Sequence, residues 1–304
     1  MKFLGRDEQG ARGGLQDGWD GEDEWDEIWG FFGVSRWNED VAGWGRAMRA
    51  CCDFQVVDES ADWIVVDKPA PLAVHPANGK VEPTLLGGLE CLLAAEMAGG
   101  RGLSILTRLD RETSGLVLVA KTLEAAREFS RQLEARTVSK EYLAVTHGWP
   151  EWEGKRVEAP ILRAGEVGES PIWLRQRVHP AGRECVTDFR VERRFERGGR
   201  RFSLIRCFPE TGRMHQIRVH LEHAGHPLVG DKIYGTDGAA YLAQMDDAIS
   251  GEMREVLVLP RHALHATVLE ADWEGRRWRW ECGLAEDLAR FVKGEALDPA
   301  AWLS

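Results

Sequence analysis

The sequence predicts an α+β fold, in which strands and helices are mixed without regular alternation, and three observations support this class. Residues 116–120 form a short Val-rich run after Gly115, which predicts a buried strand. Residues 123–135 place apolar side chains at helical spacing opposite a charged face, which predicts an amphipathic helix. The strand and helix patterns do not repeat as β-α-β units, so a doubly wound parallel sheet is not expected.

The other elements follow along the chain. Residues 63–66 predict a strand that ends at Lys68-Pro69, because proline rarely continues a central strand. Residues 84–97 are apolar on one face and predict a helix with Thr84 as its N-cap. Further strands are predicted at 138–145, 184–195, 201–208, 263–271 and 276–282, a helix at 215–223, and an exposed loop at 164–170.

The chain divides into three predicted regions. Residues 1–55 are an acidic, tryptophan-rich N-terminal extension, and this aromatic content argues against a disordered tail. We expect short helices at 22–32 and 39–49 that pack tryptophans onto the main domain, and a partner-binding or self-masking arm is the alternative. Residues 56–285 form the predicted catalytic domain, and residues 286–304 a C-terminal helix and tail.

The charge is distributed unevenly. The net charge is −11, yet residues 1–62 hold 6 Lys/Arg against 15 Asp/Glu and residues 63–304 hold 33 against 35. Phosphate binding needs a local basic surface rather than a basic protein. Basic side chains that gather near the sequence motifs are Arg101, Arg108, Arg111, Lys121, Arg127, Arg131, Arg136, Lys140, Arg213 and Arg218.

Composition excludes several classes of protein. The 6 cysteines include no Cys-x-x-Cys pair, which argues against a zinc site and a disulfide framework. Residues 1–14 lack the apolar stretch of a secretory signal, and no run is long enough to span a membrane. Gly-x-x-x-x-Gly-Lys and Gly-x-Gly-x-x-Gly are absent, so no phosphate-cradling loop is expected. The default location is the cytoplasm.

The most informative stretch is residues 108–121, Arg-Leu-Asp-Arg-Glu-Thr-Ser-Gly-Leu-Val-Leu-Val-Ala-Lys. Asp110 lies between Arg108 and Arg111 on a predicted loop at the edge of a buried strand, where catalytic residues often occur. The flanking positive charge favours the ionised carboxylate, which can act as a nucleophile or a base. A structural aspartate in a surface salt bridge is the alternative.

Six segments together resemble the RluA-type pseudouridine synthases, which isomerise uridine within RNA. The stretch above resembles the family signature His-Arg-Leu-Asp-Arg-x-Thr-Ser-Gly-Leu, with Thr107 in place of histidine. The other segments, in order, are Asp67-Lys68-Pro69 with Val74-His75-Pro76; Lys140-Glu141-Tyr142; Thr211-Gly212-Arg213-Met214-His215-Gln216-Ile217-Arg218-Val219-His220; Gly225-His226-Pro227 with Gly230-Asp231 and Tyr234-Gly235; and His262-Ala263-Leu264-His265-Ala266.

The resemblance covers roughly residues 60–285 and implies both a fold and a site. The implied fold is that of the pseudouridine synthases, with a large, mostly antiparallel central mixed sheet, flanking helices and an RNA-binding cleft. Asp110 corresponds to the catalytic aspartate, Tyr142 to the active-site tyrosine, and Arg218 to the basic residue that pairs with the aspartate. Residues expected to contact the substrate RNA are Arg108, Arg111, Lys140, Arg213, His215 and Ile217.

The implied reaction needs no cofactor and no metal, because it involves neither redox chemistry nor hydrolysis. The target base must leave its stack, so base flipping onto an aromatic side chain is expected. The expected partner is transfer RNA or ribosomal RNA, with no role for DNA or a membrane and with a monomer as the default. Thr107 removes a ring that is able to contact the RNA backbone, so it puts substrate choice in question more than chemistry.

Two alternatives remain at this point. A metallohydrolase would need several of the chain's 9 histidines to gather around an ion, although no His-Glu-x-x-His motif supports this. An RNA-binding protein that has lost catalysis would share the fold, and the presence of Asp110, Tyr142 and Arg218 argues against it. Loss of activity in Asp110→Asn with retained RNA binding would favour the enzyme.

Overall fold

A computed structural model describes residues 54–76, 83–98, 102–297 and residue 302. The helices predicted at 22–32 and 39–49, and the packing of their tryptophans, lie outside the described residues. Among the helices that the structure describes, none combines the length and the apolar character needed to cross a bilayer.

A large mixed sheet is built from ten strands, counted over the described part of the chain. Its strands are β1 (Gln55–Glu59), β2 (Trp63–Lys68), β3 (Ser104–Ile105), β4 (Ser114–Ala120), β5 (Ser139–His147), β6 (Gly154–Glu158), β9 (Val186–Arg197), β10 (Arg200–Pro209), β11 (Leu264–Trp273) and β12 (Arg276–Glu281). A separate two-stranded sheet joins β7 (Ile161–Arg163) to β8 (Gln176–Val178).

The strand order confirms the predicted mixed, mostly antiparallel sheet. Neighbouring strands run β1-β2-β4-β11-β5-β10-β9-β6, with β12 paired to β11 and β3 paired to β4. The contact between β4 and β11 is parallel, while the other paired strands are antiparallel. The predicted strands are therefore found, with ends that shift by at most two residues.

The helices flank this sheet. They are α1 (Leu85–Leu92), α2 (Ala94–Met97), α3 (Leu123–Glu134), α4 (Gln216–His223), α5 (Ala239–Met245), α6 (Gly251–Leu257) and α7 (Glu286–Lys293). Thr84 caps α1 as predicted, because its hydroxyl accepts a hydrogen bond from the Gly87 amide. The single helix predicted over 84–97 is wrong in one respect, since the chain leaves helical geometry at Leu93 and divides it into α1 and α2.

The core lies on both faces of the central strands. Alternate residues of a strand point to opposite faces, so Trp63 and Val65 of β2 pack beside Phe129 of α3. Ile64 and Val66 face the other way, into a cluster with the leucines of α1. Both faces of β2 and β4 are thereby covered, which explains why their sequences are continuous apolar runs.

A close approach between β4 and β11 positions the loop that carries the signature. Gly115 has a φ of +112°, and a Cβ atom there would lie 2.2 Å from the Ala266 carbonyl oxygen. Only glycine fits this geometry, because the two backbones pair in parallel at His265–Ser114 and Ala266–Gly115. Residues 108–113 therefore end against a fixed strand.

Candidate active site

The signature loop, residues 108–113, connects β3 to β4 and is held by its own backbone. The Thr113 amide donates to the Asp110 carbonyl at 3.0 Å, and the Leu72 amide donates to the Arg111 carbonyl at 2.9 Å. Lys68 is fully buried, and its Nζ donates to the carbonyls of Leu72 at 2.8 Å and Arg111 at 3.3 Å. Lys68 therefore links the end of β2 to this loop through buried hydrogen bonds.

A second set of contacts holds the other side of the loop. Lys232 donates to Glu112 Oε1 at 2.6 Å, and Thr113 Oγ1 lies 2.7 Å from His262 Nε2. The Arg261 guanidinium donates to the Glu112 carbonyl at 3.1 Å. Because these side chains are at most partly exposed, the loop that carries Asp110 is fixed rather than free to move.

Arg218 reaches Asp110 from α4. Its Nη1 donates to Asp110 Oδ2 at 2.8 Å. The other edge of the guanidinium is held by Asp231, whose carboxylate accepts from Arg218 Nε at 2.7 Å and Nη2 at 2.9 Å. Asp231 also accepts from the amides of Ile233 and Tyr234. A bidentate pair fixes the plane of an arginine, so Asp231 aims Arg218 at Asp110.

The surroundings keep Asp110 ionised. Burial raises the pKa of this carboxyl, whereas the charges of His215 and Arg218 and the Arg218 hydrogen bond lower it, and the net pKa lies below the ordinary value. The side chain of Asp110 is nevertheless 29% exposed, whereas that of Arg218 is 5% exposed. A negative carboxylate is therefore presented at the surface with its counter-charge behind it.

His215 stands beside this pair in an unusual conformation. It precedes α4 with a φ of +56°, a left-handed geometry that costs free energy for a residue with a side chain. The Tyr234 hydroxyl lies 2.9 Å from His215 Nδ1 and accepts from the Gln176 amide at 2.9 Å. When this hydroxyl donates to Nδ1, the hydrogen of His215 resides on Nε2, 3.9 Å from Asp110 Oδ2.

We expect the titration of His215 and Asp110 to leave the reaction rate unchanged between about pH 5.5 and pH 8, because the pKa values of both groups lie below that window. Burial and the charge of Arg218 lower the pKa of His215 to about 4, and the pKa of Asp110 lies below its usual value. Both are therefore in their basic forms across that window. The check is a single-turnover pH profile; an acidic limb near pH 6 that disappears in His215→Gln would contradict it.

Tyr142 completes the group from the middle of β5. Its ring packs at the edge of a core cluster that includes Cys207 and Ile217. Burial and the negative charge of Asp110 raise the pKa of the phenol, so it stays protonated at neutral pH. The phenol makes no side-chain hydrogen bond to any described residue, which leaves its O–H free for a substrate.

The structure places the other predicted contact residues around this centre. Arg108 and Arg111 are exposed, and their guanidinium groups form no ion pair within the described part of the chain. Lys140 is partly buried near Gly212, and burial lowers its pKa. Arg213 donates to the Glu184 carbonyl at 3.3 Å. Ile217 is only 6% exposed and lies in the apolar wall beside Tyr142.

One sequence-based expectation needs correction. Lys121 does not join a basic surface, because it is buried and forms ion pairs with Glu59 and Glu96 at 2.7 Å and 2.8 Å. Thr107 takes the position of the histidine in the family signature. Its side chain turns inward, 7% exposed, and its hydroxyl accepts from the Leu118 amide at 2.9 Å.

Sequence reasoning did not assign a role to Asp231 or Tyr234. Both were noted in the Gly-Asp and Tyr-Gly motifs, yet nothing in their local sequence shows that they reach α4. The available signal was the rarity of a buried aspartate, which requires a cationic partner. Gly230, the residue before Asp231, marks the same tightly packed position, because a Cβ atom there would lie 2.0 Å from the Arg261 carbonyl oxygen.

The histidines do not converge as the metallohydrolase alternative requires. His220 is hydrogen-bonded to Thr187 and the Ala159 carbonyl, and His262 to Thr113. Over the described ranges, one set of three possible ligand atoms lies within 4.8 Å, and it contains a single histidine, His265, with Asp67 and Cys282. His265 Nε2 already lies 3.2 Å from Cys282 Sγ, so a local hydrogen bond accounts for this contact.

The profile of the RNA pseudouridylate synthase family matches residues 62–223. The ribosomal large subunit pseudouridine synthase D of Pseudomonas aeruginosa is 40% identical over 77% of this chain and 69% of its own length. The protein of that name from Nitrosomonas europaea is 39% identical over 79% of this chain and 64% of its own length.

Two solved structures share the fold. Human RNA pseudouridylate synthase domain containing 4 superimposes with a TM-score of 0.63 and 20% identity, covering 85% of this chain and 100% of that one. Human RNA pseudouridylate synthase domain containing 1 gives a TM-score of 0.57 and 23% identity, over 82% of this chain and 97% of that one. Identities this low carry the fold and not the substrate.

Proposed function

This chain belongs to the RluA-type family of RNA pseudouridine synthases, and from that premise we propose that it isomerises uridine in large-subunit ribosomal RNA with Asp110 as the catalytic carboxylate. The observation that carries the assignment of the site is the Asp110–Arg218–Asp231 chain of ion pairs, which presents an ionised carboxylate on the loop that leads into the central strand β4. The choice of ribosomal RNA rests on the names of the relatives that match most of this chain.

The reaction sets out what these side chains must do. The bond from C1′ of the ribose to N1 of uracil breaks, the base turns, and C1′ joins C5. The hydrogen of C5 is lost as a proton, and N1 gains one, so atoms and electrons balance without a redox partner. Asp110 serves this sequence either by adding to the base or by assisting loss of the base from the sugar.

The remaining groups position the substrate nucleotide relative to Asp110. Arg218 stabilises the Asp110 anion from behind and leaves its exposed side to the nucleotide. The ring of Tyr142 offers a face for the flipped base, and the Ile217 side chain forms the apolar wall next to it. Arg108 and Arg111, which form no ion pair with a described residue, lie on the same loop as Asp110, where they would bind phosphates that flank the target uridine.

Tyr142→Phe separates the role of the phenol from that of the ring. We expect the variant to fold and bind RNA like the wild type, because the O–H makes no side-chain hydrogen bond to a described residue. The single-turnover rate should fall by about 10²-fold or more, the usual contribution of a group that transfers a proton. A rate within a factor of about two of wild type would contradict proton transfer by Tyr142, because that contribution spans orders of magnitude.

The substrate is tested in cells with and without this gene. Carbodiimide-based mapping of pseudouridine would compare large-subunit ribosomal RNA with transfer RNA. We expect a ribosomal site that disappears in the deletion and returns with the wild-type chain but not with Asp110→Ala. A change confined to transfer RNA would reassign the substrate and leave the chemistry intact.

The alternative of an RNA-binding protein without catalysis is disfavoured by the same geometry. An ionised carboxylate, its aimed arginine and an unbonded phenol form a set that RNA binding alone does not require. We further propose that the protein acts as a monomer in the cytoplasm, the compartment of its RNA. A single protomer supplies Asp110, Tyr142 and Arg218, so the site requires no second copy.

A further inference from the structure

One turn on the small sheet carries apolar side chains where polar ones are the rule. The Arg175 amide donates to the Ile172 carbonyl at 3.1 Å and closes a turn whose central residues are Trp173 and Leu174. Trp173 is 72% exposed and Leu174 is 40% exposed. Turn tips favour Gly, Asn, Asp, Pro and Ser, so neither Trp173 nor Leu174 is needed to form this turn.

The turn is rigidly attached to the protein. Ile172 is 2% exposed and packs in a core cluster with Val219 of α4 and with Tyr234. Gly238 leaves room for it, because a Cβ there would lie 2.2 Å from Ile172 Cδ1. The turn that carries the exposed tryptophan is thus fixed to the core, which reduces the entropy lost when a ligand binds it.

One face of the Trp173 ring is occupied by an arginine. The Cζ atom of Arg163 lies 3.7 Å from the ring centroid, a cation–π contact. Arg163 Nε is buried without a hydrogen-bond partner, and its distance of 3.7 Å from Glu166 Oε1 is too long to supply one. The guanidinium therefore holds the orientation of the ring, although its charge is partly balanced by the Glu166 carboxylate, and the ring remains 72% exposed for a second contact.

The turn lies close to the reaction site. The Gln176 amide donates to Tyr234, which contacts His215, which lies 3.9 Å from Asp110. Trp173 is three residues before Gln176, so their Cα atoms are at most about 11 Å apart. Taken together, these distances place the Trp173 Cα atom within roughly 25 Å of the Asp110 carboxylate, a span of about seven nucleotides at the ~3.4 Å spacing of a duplex strand, which one bound RNA can bridge.

The chemistry of this surface selects its ligand. An open aromatic face accepts any unpaired base by stacking, and neighbouring guanidinium groups attract the phosphates. Arg177 adds to this charge, since it is exposed and forms no ion pair within the described residues. We propose that Trp173, backed by Arg163, is a stacking platform for an unpaired base of the substrate RNA, outside the pocket that receives the target uridine; this rests on the proposed function.

The test measures RNA binding by the full chain. The probes are an in vitro transcribed stem-loop of large-subunit ribosomal RNA and a fully paired duplex of equal length. Trp173→Ala should weaken binding of the stem-loop by about 10-fold and leave duplex binding unchanged, because a paired base is not free to stack. Trp173→Phe should retain most of the affinity, since it keeps an aromatic face.

Trp149→Ala is the matched control. Trp149 is 37% exposed and also makes a cation–π contact, with Arg201 Cζ 4.5 Å from its ring centroid. It lies elsewhere in the fold, just after the C-terminal end of β5. Equal stem-loop affinities for Trp173→Ala and wild type, equal losses on both RNAs, or no stem-loop binding by wild type would each overturn the proposal. Isomerisation by the wild-type chain is measured separately, so failure of the proposed function is recognised independently.

Discussion

Asp110→Asn is expected to abolish isomerisation while leaving the protein folded and able to bind RNA. The substitution keeps the shape of the side chain but removes the negative charge and most of its capacity to add to the base or to accept a proton. The single-turnover rate should fall by more than about 10³-fold, as is typical when a central catalytic group is removed. Rates and RNA affinities of the two proteins provide the measurement.

The structure also predicts that this loss is not a stability effect. Arg218 keeps its bidentate contact with Asp231 after the substitution, so no buried charge is left without a partner. We expect the free energy of unfolding to change by about 1 kcal/mol, the range of a single partly exposed hydrogen bond. A variant that retains more than a tenth of the wild-type rate would remove Asp110 from the centre of the mechanism.

Asp231→Asn is expected to cause the largest loss of stability among the site residues. The Asp231 carboxylate is fully buried and accepts from Arg218 and from two backbone amides. An asparagine removes one of the two carboxylate charges that pair with Arg218, the bidentate one, and places an N–H group where acceptors are needed. Loss of one member of a buried ion pair costs about 3–5 kcal/mol, which urea unfolding would detect.

The same substitution should reduce the rate, since Arg218 is no longer aimed at Asp110. We expect a decrease of about 10²-fold, the effect of misplacing a catalytic group by roughly 1 Å. Asp272→Asn is the matched control, because Asp272 pairs with Arg277 at 3.2 Å on the surface and should change stability by at most about 1 kcal/mol. Equal destabilisation by both variants would contradict a special role for Asp231.

Local sequence was enough to predict the elements whose pattern is set by the core. The Val-rich run of β4 is buried along its whole length, and the apolar face of α3 includes Phe129, which is fully buried. The strand β6 was missed because its pattern Gly-Lys-Arg-Val-Glu is almost entirely exposed and lacks an apolar face. The strand β3 has only two residues, which is too short to give a periodic signal.

The site divides in a similar way. Asp110, Tyr142 and Arg218 were identified through the family resemblance, and the structure brings Arg218 to Asp110 from a helix 108 residues away along the chain. Arginine side chains are mostly exposed, whereas Arg218 is 4% exposed. The supporting roles of Lys68, Asp231 and Tyr234 depend on tertiary contacts, which no local pattern encodes.

The most direct test of the central claim uses the purified chain and large-subunit ribosomal RNA transcribed with tritium at C5 of uridine. Isomerisation must release the C5 hydrogen to water, so tritium release counts turnovers. We expect release by the wild type at one or a few positions, matched by pseudouridine at those positions, without an added nucleotide or redox cofactor. If this RNA released no tritium, the claim would be contradicted, whether or not transfer RNA released it.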